Sequence, residues 1–327
     1  MAGERLASAN SVRGRWSPGF RVGLRWLSGI AVICGSLWFM VSQLSLNLGR
    51  LGAELTQIPA WGIAVTTFIF AASVLVDNVI WYSILRSNQG QALSLTDAFA
   101  VLNLSAVGKY LPGKVWAYAW QIYLLDRRGI SPRASLWTNA LTALAAAAAG
   151  ALVGGVTAAV GHLGTPIVIL SLATGIALFG LMPLHERLRI VARLEKRLGF
   201  DLSYATFRWQ HWLLAVAGYC GMMVIWGLGA VVLAASLQPG ISLSTGAAVI
   251  AGMCLSWLIG TLVAIAPAGL GVREAAMALA LANLPGRLGL VLPIATRILL
   301  IVVDLALEAV ALAILWYRRT QPLRNSD

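Results

Sequence analysis

The sequence predicts an all-α polytopic membrane protein with about six full transmembrane helices and two re-entrant helical hairpins arranged as an inverted repeat. Three observations support this. The 327 residues are 59% hydrophobic and 11% charged, whereas about a quarter of a soluble domain is charged. Six apolar runs match the roughly 20 residues that cross a bilayer, and two proline–glycine breaks interrupt the other apolar segments. The runs are 22–46, 60–85, 134–160, 165–183, 209–237 and 289–317.

The basic residues are distributed asymmetrically, which argues against nucleic acid as the reason for the net charge of +12. If the N-terminus is cytoplasmic, 18 of the 24 Lys and Arg residues fall on the cytoplasmic side of the membrane. Only two, Arg50 and Arg287, fall on the other side, and four lie within the apolar zone. Cytoplasmic loops are enriched in these residues. We therefore expect two cytoplasmic termini, contact of that face with anionic lipid headgroups, and no nucleic-acid partner. The eighteen residues lie within 5–25, at 86, and within 127–133, 187–208 and 318–324.

One transmembrane domain, residues 21–318, is predicted between two short cytoplasmic tails. Residues 1–20 form a basic tail, and residues 319–327 form the second. The first apolar run, 22–46, lacks a small-residue cleavage site, so we expect a retained helix and not a signal peptide. The next helix returns to the cytoplasm at Arg86.

Residues 95–128 are predicted to enter the membrane and return to the same face as a re-entrant hairpin. They begin beside Arg86 and end at Arg127-Arg128, and both basic positions favour the cytoplasm. Pro112-Gly113 breaks the segment near its middle, because proline lacks a backbone donor and glycine permits unusual turns. The alternative is one full span, which would invert every later helix and leave the basic loop 184–208 outside.

The remaining segments complete the predicted bundle and repeat its first half from the opposite face. Ser131 is a candidate N-cap for a helix that is rich in alanine and glycine over 143–161, and such small residues favour a central position. The basic cytoplasmic loop 184–208 follows, and residues 243–284 form the second hairpin, with its break within 266–274. Hairpins that enter from opposite faces constitute an inverted repeat.

Charged side chains within the apolar zone predict a buried anion-binding pocket. Each isolated charge there costs about 2.5–3.5 kcal/mol on insertion scales, so cations and carboxylates need one another. Lys114 and Arg273 stand where half-helices begin after the two breaks, and helix N-termini favour anions. The cations are Lys109, Lys114, Arg273 and Arg297, and the carboxylates are Asp77, Glu274, Asp304 and Glu308.

A second interpretation of these charges is a set of structural ion pairs that lock helices together. It has most weight for Asp77 and Glu308, which lie nearest the cytoplasmic helix ends. Arg297, Asp304 and Glu308 recur at helical spacing, so they share one face of the last helix. Trp116 either lines a lipid groove or anchors the chain at the interface.

No catalytic residue, metal or cofactor is predicted. His162, His185 and His211 have no metal-ligand spacing, and the three cysteines lie in separate apolar segments. Gly269-Leu270-Gly271 follows no strand and the chain contains no P-loop, so nucleotide binding is not supported.

The two breaks resemble motifs of the lysylphosphatidylglycerol synthase transmembrane, or flippase-like, family. The residues that carry the resemblance are Asn103 to Trp116, Pro267 to Ala275 and Arg297. Members occur alone or as the membrane region of the bacterial multiple peptide resistance factor. The resemblance implies movement of a lipid with a charged headgroup between leaflets. The sequence contains no soluble aminoacyl-transferase domain, so we expect no synthase activity.

These observations predict a lipid translocase of the bacterial inner membrane that is not an enzyme. Its cargo would be a phospholipid or a polyprenyl-phosphate lipid. Two alternatives stay open: a polyprenyl-phosphate-dependent glycosyltransferase, and a non-transporting partner of enzymes that build a cell-envelope glycan. The sequence does not determine the oligomeric state. The predicted substrate-binding residues are Lys109, Tyr110, Pro112, Gly113, Lys114, Trp116, Pro267, Gly269, Gly271, Arg273, Glu274, Arg297, Asp304 and Glu308.

Overall fold

A computed structural model describes most of the predicted membrane domain. Within the described residues the chain is helical and contains no strand. The predicted first helix, the N-terminal tail with its boundary, most of the basic loop, the tip Leu111 to Lys114 and residues 321–327 lie outside these residues. The last described helix ends at Thr320, so it includes the first two residues of the predicted C-terminal tail. The described ranges are 54–89, 93–110, 115–188, 209–263, 267–284 and 287–320.

The described helices are α1 Ala60–Gln89, α2 Leu95–Ala106, α3 Val115–Asp126, α4 Pro132–Val160, α5 Thr165–Leu188, α6 Trp209–Leu237, α7 Leu243–Leu262, α8 Val272–Ala280 and α9 Leu292–Thr320. They include two series of four helices, α1 to α4 and α6 to α9, and α5 lies between the two series in the chain. A 3-10 turn interrupts each series: the first turn, Val107–Tyr110, follows α2, and the second turn, Pro267–Gly269, precedes α8. A π-helical turn, Arg287–Val291, leads into α9.

Five of the described helices are long and apolar enough to cross a membrane, so the protein is a multi-pass membrane protein. The sequence predicts α7 as one arm of the second hairpin, yet its 20 residues suffice for a full span. The following helix, α8, has nine residues. The re-entrant hairpins and the number of spans remain predictions. The five spans are Ala60–Ser87, Pro132–Val160, Trp209–Leu237, Leu243–Leu262 and Leu288–Tyr317.

Helix α4 lies at the centre of the bundle, as its small residues predict. It packs against α5, α6 and α7, and Ala145, Ala148 and Ala149 are fully buried. A Cβ added to Gly155 would lie 2.7 Å from Cδ2 of Leu172 on α5, so only glycine permits this close approach. The predicted N-cap is also confirmed, since the hydroxyl of Ser131 accepts a hydrogen bond from the backbone of Ala134.

The two series meet at their 3-10 turns, which contact each other although they are distant in the sequence. Both series run in the same order: a long helix, a shorter one, a 3-10 turn, another shorter helix and a long helix. This order agrees with an internal repeat. Opposite orientation of the two series in a membrane remains a prediction.

Candidate functional site

The candidate site lies where the two 3-10 turns meet α9. Helix α9 packs against α1, α2 and α8, so it contacts elements on both sides of the turns. Its residues Arg297 and Asp304 are seven positions apart and share one helix face. Asp304 pairs with the first turn, and Arg297 pairs with α8 and the second turn.

The first turn is tied to α9 through Asp304. The ammonium nitrogen of Lys109 lies 2.7 Å from Oδ2 of Asp304, and the hydroxyl of Tyr110 donates a hydrogen bond to the same oxygen at 2.6 Å. The ammonium also lies 5.3 Å from the centroid of the Tyr110 ring. The side chains of Lys109 and Asp304 are 35% and 18% exposed, so this contact is partly accessible.

The second turn is tied to α9 through Arg297. Nε of Arg297 lies 3.3 Å from Oε1 of Glu274 in α8, and Nη2 donates a hydrogen bond to the carbonyl of Ala268 at 3.1 Å. Ala268 occupies the left-handed region, with φ of 49°, which few non-glycine residues adopt. The side chains of Arg297 and Glu274 are only 11% and 9% exposed, so this pair is more buried than the first.

Arg273 occupies a notch between two glycines. A Cβ on Gly260 of α7 would lie 2.4 Å from Cγ of Arg273, and a Cβ on Gly269 would lie 3.0 Å from its Nε. That Nε is buried and has no hydrogen-bond partner among the described residues. Arg273 belongs to the first turn of α8, which starts after Gly271 with φ of 78°. The Arg273 side chain therefore occupies space that exists because Gly260 and Gly269 have no side chains.

These residues form one electrostatic unit, which we call the charged cluster: Lys109, Arg273, Glu274, Arg297 and Asp304. The charges of Arg297, Glu274 and Asp304 all act on Arg273. Tyr110, between the two ion pairs, interacts with Asp304, Arg297 and Arg273. The charge of Asp77 also acts on Lys109, so three carboxylates match the three cations in number. Arg273 is the cation of the cluster that forms no ion pair with a described residue, and such a cation within a membrane domain attracts an anion.

A small cavity adjoins the charged cluster. Its volume is about 20 Å³ and its lining includes Arg273, Glu274, Arg297, Ser256 and Thr296. A cavity needs about 10–15 Å³ to hold one water molecule, so this one is too small for a lipid phosphate. Oε2 of Glu274 is buried beside it without a hydrogen-bond partner among the described residues. An anion the size of a headgroup therefore requires the cluster to open.

Nine predicted site residues are not members of the charged cluster, and they fall into three groups. Tyr110, Gly269 and Gly271 lie beside the charged cluster, and the backbone of Pro267 forms part of the second turn. Pro112, Gly113 and Lys114 lie outside the described residues.

Trp116 and Glu308 lie apart from these contacts. Trp116 is 51% exposed on α3. Glu308 lies one turn beyond Asp304 on α9 and forms no ion pair with a described residue.

Sequence reasoning missed several polar contacts between helices. The hydroxyl of Tyr219 donates a hydrogen bond to Asp77 at 2.8 Å, which gives that carboxylate a partner in α6. Asn139 of α4 accepts a hydrogen bond from the indole of Trp81 at 3.0 Å and donates one to Gln121 at 2.8 Å. Asn139 and Gln121 could have been found, because amides within apolar helices usually bond across helices.

Comparison with known proteins identifies one family over most of the chain. The model of the family described as Lysylphosphatidylglycerol synthase TM region matches residues 26–307. This range contains the whole charged cluster and both 3-10 turns. No curated protein matches the chain.

Proposed function

Because the chain belongs to the Lysylphosphatidylglycerol synthase TM region family, it is a membrane protein related to lipid modification or transport, and we propose that it is a lipid translocase. It would move a lipid with an anionic or zwitterionic phosphate headgroup between the leaflets of the bacterial inner membrane. In this proposal it is not an enzyme, both termini are cytoplasmic, and its partner is the lipid itself.

The observation that carries the proposal is that Arg273 forms no ion pair with a described residue, and that its buried Nε has no hydrogen-bond partner among these residues. Arg273, Arg297 and Lys109 lie around two carboxylates and belong to three different elements. Guanidinium and ammonium groups form strong charge-assisted hydrogen bonds with phosphate oxygens. Ionisable residues within a membrane domain are commonly part of a substrate path. A lipid phosphate would give Arg273 the anionic partner that it lacks among the described carboxylates.

The same geometry suggests how binding is coupled to movement. The cavity of about 20 Å³ beside Arg273 does not accommodate a phosphate. A headgroup therefore has to displace Glu274 from Arg297 or Asp304 from Lys109, and so exchanges one anionic partner for another. Asp304 ties the first turn to α9, and Glu274 ties α8 to α9, so the exchange releases one of these two elements from α9. A ligand shifts such an equilibrium only by the amount by which it prefers the open state.

The repeated order of helices supports alternation of access between the two faces. Transporters built from inverted repeats place their site between the repeats and expose it to either side by rocking. Here the two 3-10 turns meet at the charged cluster. The inverted orientation belongs to the proposal.

Leaflet exchange in liposomes tests the proposed function. Purified protein is reconstituted with headgroup-labelled phosphatidylglycerol or a labelled polyprenyl phosphate, and an impermeant quencher reports the outer leaflet. We expect exchange with wild type and a rate at least about tenfold lower with Arg273→Gln, because a hydrogen bond to a charged group contributes about 1.5–3 kcal/mol.

The matched control for this assay is Arg128→Gln. Arg128 also pairs with a carboxylate, Asp97, but at 3.9 Å and apart from the cluster, so its loss leaves exchange near the wild-type rate. Equal rates for Arg273→Gln and wild type would contradict the proposed site. No exchange by wild type with either lipid would contradict translocation, and sugar transfer without exchange would support a transferase instead.

A further inference from the structure

A large apolar groove lies on the opposite side of α8 from the charged cluster. Its volume is about 930 Å³, near the upper end of the roughly 300–1,000 Å³ found for ligand sites. Helices α5, α7 and α8 form its walls, and all three belong to the membrane domain. No charged residue occurs among the described residues that line it.

Helix α8 lies between the groove and the charged cluster, and its two faces carry different kinds of side chain. Arg273, Glu274 and Met277 line the small polar cavity. Ala275 and Ala276 line the groove, in agreement with a helical period of about 3.6 residues. Alanine side chains on this face leave the space that larger residues would fill. One short helix thus presents charge to one side and a hydrocarbon surface to the other.

The lining of the groove indicates a hydrocarbon occupant. One of its two hydroxyl residues, Ser171, already donates a hydrogen bond to the carbonyl of Ala151 at 2.8 Å. A polar ligand or a peptide would bury hydrogen-bonding groups here at a cost of about 1–3 kcal/mol each. Leu170, Leu262 and Leu279 in its lining are 71%, 77% and 76% exposed, so no described residue covers this side of the groove.

The groove also ends beside positive charge. Gly271 and Val272, the start of α8, belong to its lining, as does Ile259 of α7, and the side chain of Arg273 packs against Gly260, the neighbour of Ile259. The helix N-terminus adds partial positive charge at this end. A molecule with a hydrocarbon chain in the groove would therefore have its polar end next to Arg273. This complementarity fits an anionic amphiphile better than a helix of a second copy of the protein.

We propose that this groove binds a hydrocarbon chain of the transported lipid while the phosphate of the same lipid engages Arg273 across the start of α8. The inference rests on the proposed function and adds to it a defined path for the tail. The transported substrate is then a lipid whose hydrocarbon chain stays in contact with the protein while its headgroup is bound. Helix α8 then separates the two parts of one ligand.

Photolabelling tests the groove without any substitution. Wild type is reconstituted in vesicles of phosphatidylethanolamine and phosphatidylglycerol that contain phosphatidylglycerol with a diazirine near the end of one acyl chain. We expect labels concentrated on α8 and α7 residues of the groove and reduced by excess unlabelled phosphatidylglycerol. The exposed face of α6, with Leu214 at 69% exposure, serves as the reference for general lipid contact. Equal, non-competed labelling of both surfaces would overturn the proposal.

Filling the groove is the second arm of the test. Ala276→Trp places a large side chain in a space of about 930 Å³, so the bundle can accommodate it. We expect loss of groove labelling and at least about tenfold slower exchange. Ala217→Trp, at an exposed position of α6 outside the groove, is the control and should preserve both. Comparable melting temperatures would show that both variants are folded.

The outcomes distinguish the groove from the proposed function. If Ala276→Trp exchanges lipid at the wild-type rate while Arg273→Gln does not, the groove proposal is wrong and translocation stands. If wild type shows competed groove labelling but no exchange, translocation is wrong and the groove remains a lipid site. Cross-links between two copies of the chain through the groove would also overturn the proposal, because a protomer would then occupy it.

Discussion

The side chain of Arg273 occupies the space that the missing side chain of Gly260 leaves on α7. A Cβ at Gly260 would lie 2.4 Å from Cγ and 2.9 Å from Nε of Arg273, closer than real Cβ contacts allow. The relationship crosses from α7 to α8 and fixes the position of the cation. It also gives a substitution that moves Arg273 without changing its charge.

The substitution Gly260→Ala should displace Arg273 and slow lipid exchange at least about tenfold, as for other misplaced catalytic or binding groups. Helix propensity favours alanine over glycine by about 1 kcal/mol, so the helix itself should not weaken. Gly221→Ala is the control, since a Cβ at Gly221 of α6 meets nothing within 4 Å. Exchange assays and melting temperatures of both variants check the prediction. Wild-type exchange by Gly260→Ala would show that the position of Arg273 does not matter.

Exchanging the charges of Lys109 and Asp304 should separate stability from transport. Each single reversal, Lys109→Asp or Asp304→Lys, places like charges together and should lower the melting temperature. The double variant restores opposite charges and should recover much of this loss. Transport should not recover, because the cation then lies on α9 and not on the first turn. Recovery of full exchange in the double variant would indicate that the pair is only structural.

The pair Glu274 and Arg297 should show strong coupling in a double-mutant cycle. Removing one partner of a buried pair leaves an uncompensated charge, at a cost of about 3–5 kcal/mol. We expect Glu274→Gln and Arg297→Gln each to destabilise strongly, and the double variant to cost clearly less than the two added together. Unfolding in mixed detergent micelles measures the three free energies. Additive losses would mean that the two side chains do not interact.

The hydrogen bonds of Asn139 should contribute to stability and not to transport. Asn139→Leu leaves the buried indole of Trp81 and the buried amide of Gln121 without this partner, at about 1–3 kcal/mol each. We expect a lower melting temperature and unchanged exchange per folded molecule. Asn139→Leu combined with Gln121→Leu should recover part of the loss, since one buried polar group is removed. A transport defect at normal stability would contradict this assignment.

Much of the membrane fold could be predicted because its signals are local in the sequence. The apolar runs indicate α1, α4, α6 and α9, and the small residues of α4 indicate its central position. The length of α7 could not be predicted in the same way. Its apolar sequence continues up to the break at Pro267, so the pattern did not distinguish a hairpin arm from a full span.

The partners within the candidate site could not be predicted from the sequence. Helical spacing places Arg297 and Asp304 on one face of α9, but it does not indicate which cation each carboxylate meets. That choice depends on how α9 packs against the two 3-10 turns, a long-range property of the fold. The notch at Gly260 has no sequence signal either, because glycine is frequent in membrane helices.

The central claim is that a lipid phosphate becomes the partner of Arg273, and solid-state NMR measures this contact most directly. Protein with ¹⁵N-labelled arginine in phosphatidylglycerol vesicles reports phosphorus near a guanidinium nitrogen through ¹⁵N–³¹P dipolar dephasing. We predict a dephased arginine component, beyond that of the interfacial arginines, that Arg273→Gln removes and Arg128→Gln retains. The same dephasing in wild type and Arg273→Gln would contradict the account.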